Sequence, residues 1–241
     1  MKHQTYWYEV HLANLHPEHK IRQEVVNRLI KIFFDPNSDL DGQACTWLLS
    51  FREKDFADSA KMAIRKEMAA KKLGKGIVLV CGVANIQDQL PCLKELLIDE
   101  VVYSKDPNKR YFPKWYFTLG WSARLARARM GVQEDIEKCL TMVDTVTDVH
   151  TKATILFHDV AYIRRPEAME YLRQHFLSDA RLSPTNPGVL GEPVSNYLMS
   201  VLADCLSNFP VKRKEARNYT KEEVDLCRKW ISEQIKWDII R

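Results

Sequence analysis

The sequence predicts an all-α protein built as an α-α superhelix, a solenoid of stacked antiparallel helix pairs. Three observations carry this. Three stretches, Val83 to Leu93, Met130 to Leu140 and Tyr162 to Leu172, fall into step when their final leucines are superimposed. Five residues before each leucine stands an acid (Asp88, Asp135, Glu167), and directly before it stands Cys92, Cys139 or Tyr171. The leucines lie 47 and then 32 residues apart, which suits repeated helical pairs with uneven insertions better than one compact bundle. Apolar residues elsewhere recur at spacings of three and four, and the periodic runs are broken by proline or glycine.

The elements follow in order. Pro17 suits the first turn of a helix, and Ile21, Val25, Leu29 and Ile32 continue it until Asp35-Pro36-Asn37 breaks the pattern. A second helix begins near Asp39 and carries Cys45, Leu48 and Leu49. Asp55 and Asp58 supply acids at the start of a third, which runs to Lys72 before Gly74 and Gly76. Ile77 to Val83 has the local propensity of a strand. A nucleotide-binding strand would be followed by a G-x-G-x-x-G turn, but Gly74 and Gly76 precede this run. The repeat alignment makes it a buried first helix, with Leu90 to Leu97 as its partner. Val101 to Pro113 reads as a loop, and Trp115 to Met130 resumes helical spacing. Ile136 to Val146, His150 to Ile163 and Pro166 to Leu177 follow as helices. Arg181 to Pro193, with three prolines and two glycines, is a long loop. Val194 to Asn208 is helical, and the last helix starts at Thr220, where Glu223 completes a capping box before Val224, Cys227, Trp230 and Ile231. The whole of 1–241 is expected to be one repeat domain with inserted loops near 101–113 and 181–193.

Composition limits the function classes. With 36 basic and 32 acidic residues among 241, the net charge is +4 and the hydrophobic share 46%, so no global field forces a nucleic-acid or membrane assignment. The longest apolar stretch, Ile77 to Ala84, is far short of the roughly 18 to 20 residues that span a bilayer. The N-terminal residues, with Glu9, His11 and Asn14, do not resemble a secretory signal. Six scattered cysteines, none in a C-x-x-C arrangement, read as reduced and largely buried thiols, and a cytoplasmic location is expected.

The turns Asn85-Ile86-Gln87-Asp88, Gly131-Val132-Gln133-Glu134 and Ile163-Arg164-Arg165-Pro166-Glu167 sit between a helix ending in small residues and a second helix with alternating aliphatics. In this the segments Gly82 to Leu97, Leu125 to Leu140 and His158 to Leu172 resemble HEAT-like repeats. The resemblance implies a curved stack of antiparallel helices with a concave binding surface, and it carries no catalytic residue.

Several constellations bear on chemistry. His16-Pro17-Glu18-His19 lacks the H-E-x-x-H spacing that puts two ligands on one helical face, and reads as a helix start. His150, His158 and Asp159, with Asp144 and Asp148 upstream, would form an acid/base or metal site only by folding back on one another. There is no G-x-S-x-G elbow and no phosphate-cradling G-x-x-x-x-G-K-[ST]. No metal and no cofactor is expected. The segment from Tyr103 to Tyr116 interleaves aromatics with cations, as a surface that stacks bases or pairs with acids would, and Lys105 to Arg129 carries a net +6. Its candidate binding residues are Lys109, Arg110, Tyr111, Trp115, Trp121, Arg124 and Arg127. Glu134 to Asp148 balances this at −4.

The expected function is a non-enzymatic binding or scaffolding module with a protein partner, using the concave face of a helical-repeat stack. The alternative is a HEAT-like DNA glycosylase, or another nucleic-acid-binding protein, using the basic and aromatic stretch 103–129. Titration of the native thiols should be slow and should reach six equivalents only on unfolding. Fewer than six in non-reducing denaturant would mean disulfides.

Overall fold

The computed structural model describes residues 16, 18–70, 73–97, 113–182, 191–214 and 218–240. All regular structure among them is helical. The chain divides into two compact units, one formed by Met1–Ile98 with Leu119–Met130 and the other by Asp99–Thr118 with Gly131–Arg241.

The first unit holds α1 (His19–Phe33), α2 (Asp41–Leu48), α3 (Asp58–Ala69), α4 (Lys75–Val83), α5 (Leu90–Glu95) and α6 (Leu119–Arg129). The helices pair as α1 with α2, α3 with α4, and α5 with α6. Across pairs α1 packs on α3, α2 on α4 and α4 on α6. The strand-prone run at Ile77 is therefore a helix. Its residues Ile77, Val78, Val80, Cys81, Gly82 and Val83 are all buried, and packing on several sides outweighs a β preference of at most about 1 kcal/mol. A Cβ at Gly76 would stand 2.7 Å from the Cys45 Sγ and 3.2 Å from the Phe33 ring, so glycine lets α4 approach α1 and α2 closely.

Asp55 does not start α3. It ends a 3-10 turn, Glu53–Asp55, and is buried. Its carboxylate accepts from Arg22 Nε at 2.8 Å, His19 Nδ1 at 3.1 Å and the Arg52 backbone N–H at 3.2 Å. This ties the first turns of α1 to the segment before α3, and three donors compensate the burial of the charge.

The second unit holds α7 (Gln133–Asp144), α8 (Val149–Thr151), a π-helical turn (Lys152–Leu156), α9 (Phe157–Ile163), α10 (Pro166–Leu177), α11 (Val194–Ala203) and α12 (Lys221–Ser232). α7 packs on α9 and α10, α9 on α10 and α11, α10 on α11 and α12, and α11 on α12. Trp115 lies in a 3-10 turn, Lys114–Phe117, that Thr118 closes through its Oγ1 on the Trp115 carbonyl, so the helix expected from Trp115 begins only at Leu119. α11 stops at Ala203 rather than near Asn208. Leu206 instead bridges to Ile239, and Ile240 N–H reaches the Cys205 carbonyl at 2.8 Å. The capping box at Thr220 and Glu223 forms as expected. Of the loops expected near 101–113 and 181–193, most residues lie outside those described. The mouth of the second closes by the bridge Arg181 to Pro193.

Among the described residues, positive φ at a non-glycine occurs at Asn85 and Arg164, and Gly131 has φ 97. One falls in each of the three turns aligned in the sequence. A Cβ at Gly131 would also lie 2.9 Å from the Arg165 guanidinium. Gly131→Ala should thus lower unfolding stability by about 1–2 kcal/mol, measured by denaturant titration. An unchanged midpoint would mean the turn is not held in this conformation.

Candidate functional site

Of the seven candidate binding residues, Lys109, Arg110 and Tyr111 lie outside the described residues. The other four are interior. Trp115 is buried in the second unit, and Trp121, Arg124 and Arg127 are buried in the first. Arg124 and Arg127, candidates for a binding surface, are thus covered. The reason lies in α6 itself, where Gly120, Ser122, Ala123, Ala126 and Ala128 are buried as well. Small residues on every side let neighbouring elements close around the helix, so the arginines run their aliphatic stems through the interior. Arg127 Nη1 donates to the Leu90 carbonyl at 3.1 Å, tying α6 to the start of α5.

Two of the acids that might have converged, Asp148 and Asp144, have different partners. Asp148 caps α8, accepting from the backbone of His150 and Thr151 and from the Thr151 hydroxyl. These bonds oppose burial and hold its carboxyl below the usual range. Asp144 turns elsewhere. No group of three or more metal-ligating side chains occurs among the described residues.

Asp144 belongs to a constellation that sequence reading missed. It is the last residue of α7, and its Oδ1 accepts from the Tyr171 hydroxyl at 2.6 Å. Lys152, the first residue of the π turn, places Nζ 3.9 Å from the same oxygen. His175 stands one helical turn after Tyr171 on α10, so both project from one face. Its ring centroid is 4.7 Å from that of Tyr171 and 4.8 Å from that of Phe157. Burial and the Lys152 cation push the His175 imidazole below its ordinary value, while Asp144 pulls the other way. Burial, reinforced by the bond to Asp144, raises the Tyr171 phenol, which keeps it a donor. The π turn shapes the site, since Phe157 N–H reaches back five residues to the Lys152 carbonyl, and such turns recur at functional sites. A neutral phenol, a carboxylate, an ammonium and a neutral imidazole thus meet on three elements of one unit. They can hold or exchange protons and donate to an anion.

None of the six cysteines is in a disulfide, and Cys81, Cys139, Cys205 and Cys227 are buried. Burial pushes the Cys45 and Cys227 thiols up to about 11 and Cys81 to about 12. Such thiols stay protonated near neutrality and are poor nucleophiles.

No family model matches the chain, and neither a curated protein nor a solved structure matches it. No described helix is long and apolar enough to cross a membrane.

Because Arg127 is interior, Arg127→Ala should cost about 2–3 kcal/mol of stability through lost stem packing and the lost bond to the Leu90 carbonyl. Thermal unfolding checks this. A change under about 0.5 kcal/mol, the range of ordinary surface substitutions, would place the side chain at the surface.

Proposed function

We infer that the chain is a non-enzymatic binding or scaffolding module of the helical-repeat type, with a protein partner. One observation carries the reading. The turns at Asn85, Gly131 and Arg164, aligned in the sequence, each hold a left-handed residue where one helix hands over to the next. Odd-numbered and even-numbered helices of the first unit pack in two rows, α1 on α3 and α2 on α4 on α6, as stacked pairs do. Stacked pairs expose long helical faces, and a module of this kind binds through those faces and their loops. The glycosylase alternative drew its cleft from Trp115, Trp121, Arg124 and Arg127. Their burial favours the module, and a cationic surface in 103–129 would have to draw on other cations of the stretch, such as Lys109 and Arg110.

The test pairs binding with chemistry. A labelled glutamate-rich peptide, single-stranded DNA and duplex DNA are titrated at two salt concentrations, and alkylated duplex DNA is assayed for base release. Peptide binding without base release is expected. Base release would replace the module with the glycosylase. Preference for DNA with a salt slope reduced by about one to two in Lys109→Ala and Arg110→Ala variants would replace the protein partner with nucleic acid.

A further inference from the structure

We propose that Lys152 and His175 form a binding site for a carboxylate of an acidic protein segment, with Asp144 and Tyr171 positioning the two cations. The proposal rests on the module reading and names the site and the chemistry it takes. Lys152 is largely covered, its side chain 15% exposed, yet its ammonium makes no hydrogen bond within the described residues. The Asp144 oxygen at 3.9 Å attracts it without accepting a proton. The His175 imidazole is half-buried and lies tilted against the Phe157 and Tyr171 rings, and its nitrogens have no hydrogen-bond partner within the described residues. Asp144 Oδ1 is occupied by the Tyr171 hydroxyl, which fixes the carboxylate in place beside the ammonium. Arg228 of α12, the neighbouring cation, is engaged by Ser178 and Asp179. Two partly desolvated nitrogen centres with free donors therefore sit in one cluster, close enough that the Lys152 cation acts on the imidazole, and a carboxylate bound between them would satisfy both.

Charge balance decides when it binds. With His175 neutral, Lys152 already offsets Asp144, and an incoming carboxylate is in excess. With His175 protonated, two cations meet two anions. Without ligand, burial and Lys152 hold the imidazole neutral, so the empty site disfavours the proton and loses stability as pH falls below the ordinary imidazole value. A bound carboxylate reverses that preference, and by linkage affinity rises as the imidazole takes up its proton.

The probe is a fluorescein-labelled tetraglutamate peptide, with tetraglutamine as neutral control and inorganic phosphate as competitor, between about pH 8 and about pH 5.5, where the peptide remains anionic. Binding should tighten about tenfold across that range, as one added charge-assisted hydrogen bond provides. Lys152→Met, which keeps the aliphatic stem, should weaken it about tenfold at both ends. His175→Phe, which keeps the ring packing, should remove the pH dependence. In the unaltered protein the His175 imidazole C–H resonance, identified by its loss in His175→Phe, should titrate at higher pH with peptide present. That measurement stands even if a variant folds poorly. Equal binding of tetraglutamine, no binding of tetraglutamate, an unmoved resonance, or displacement by phosphate at lower concentration than by unlabelled tetraglutamate would each overturn the proposal. If the peptide binds but both variants behave as the unaltered protein, this site falls while the module reading stands. Base release from alkylated DNA would instead remove the module reading.

Discussion

The packing depends on how the chain leaves a helix. The last carbonyls of an α-helix lack internal partners, and the chain must turn sharply if the next helix is to pack against the one just completed. At Asn85, Gly131 and Arg164 the chain leaves its helix through a single residue at positive φ, and after Arg164 the next helix, α10, packs back on α9. For a residue with a Cβ that conformation costs about 1–2 kcal/mol, so it persists only where later contacts offset it. Asn85 donates to the Glu53 carboxylate at 2.8 Å, and Arg164 donates to the Asp204 carbonyl. Gly131 needs no such compensation and leaves room for the Arg165 guanidinium instead. Each turn thus uses a different side-chain solution to the same backbone demand.

Close approach is the second requirement, and small residues meet it. Gly76 lets α4 lie against Cys45 and Phe33, and α6 is enclosed because glycine, serine and alanine occupy five of its eleven positions. Both helices lack the one-sided apolar stripe of a surface helix, and both are buried nearly all round. A buried arginine is then tolerated where its head finds a carbonyl, as Arg127 finds Leu90.

Where apolar period, caps and breakers agreed, the sequence was readable. The helices around Leu29, Leu172 and Val224 lie where their spacing put them, and the helical reading of Ile77 to Val83 followed from its register with the two later turns. Boundaries set from afar were not readable. α11 ends early because Cys205 and Leu206 meet Ile239 and Ile240, more than thirty residues on. The positive stretch was misjudged at Arg124 and Arg127 because charge was weighed over the small residues between them, the one local signal of burial. Tyr171, Asp144, Lys152 and His175 carry no shared motif, and only the packing of α7, the π turn and α10 assembles them.

The π turn at Lys152–Leu156 also sets a phase. Each residue of an α-helix advances about 100° around the axis, and a π turn accommodates one residue more than the α-helix would. At its start, Lys152 must point toward Asp144. After it, Phe157, Val160 and Ile163 must point inward. An uninterrupted α-helix of the same sequence would rotate one set away from its target by roughly a quarter turn. The wide turn is therefore an angular offset built into the chain, and deleting a single residue there would uncouple the polar cluster from the core without removing any of its members.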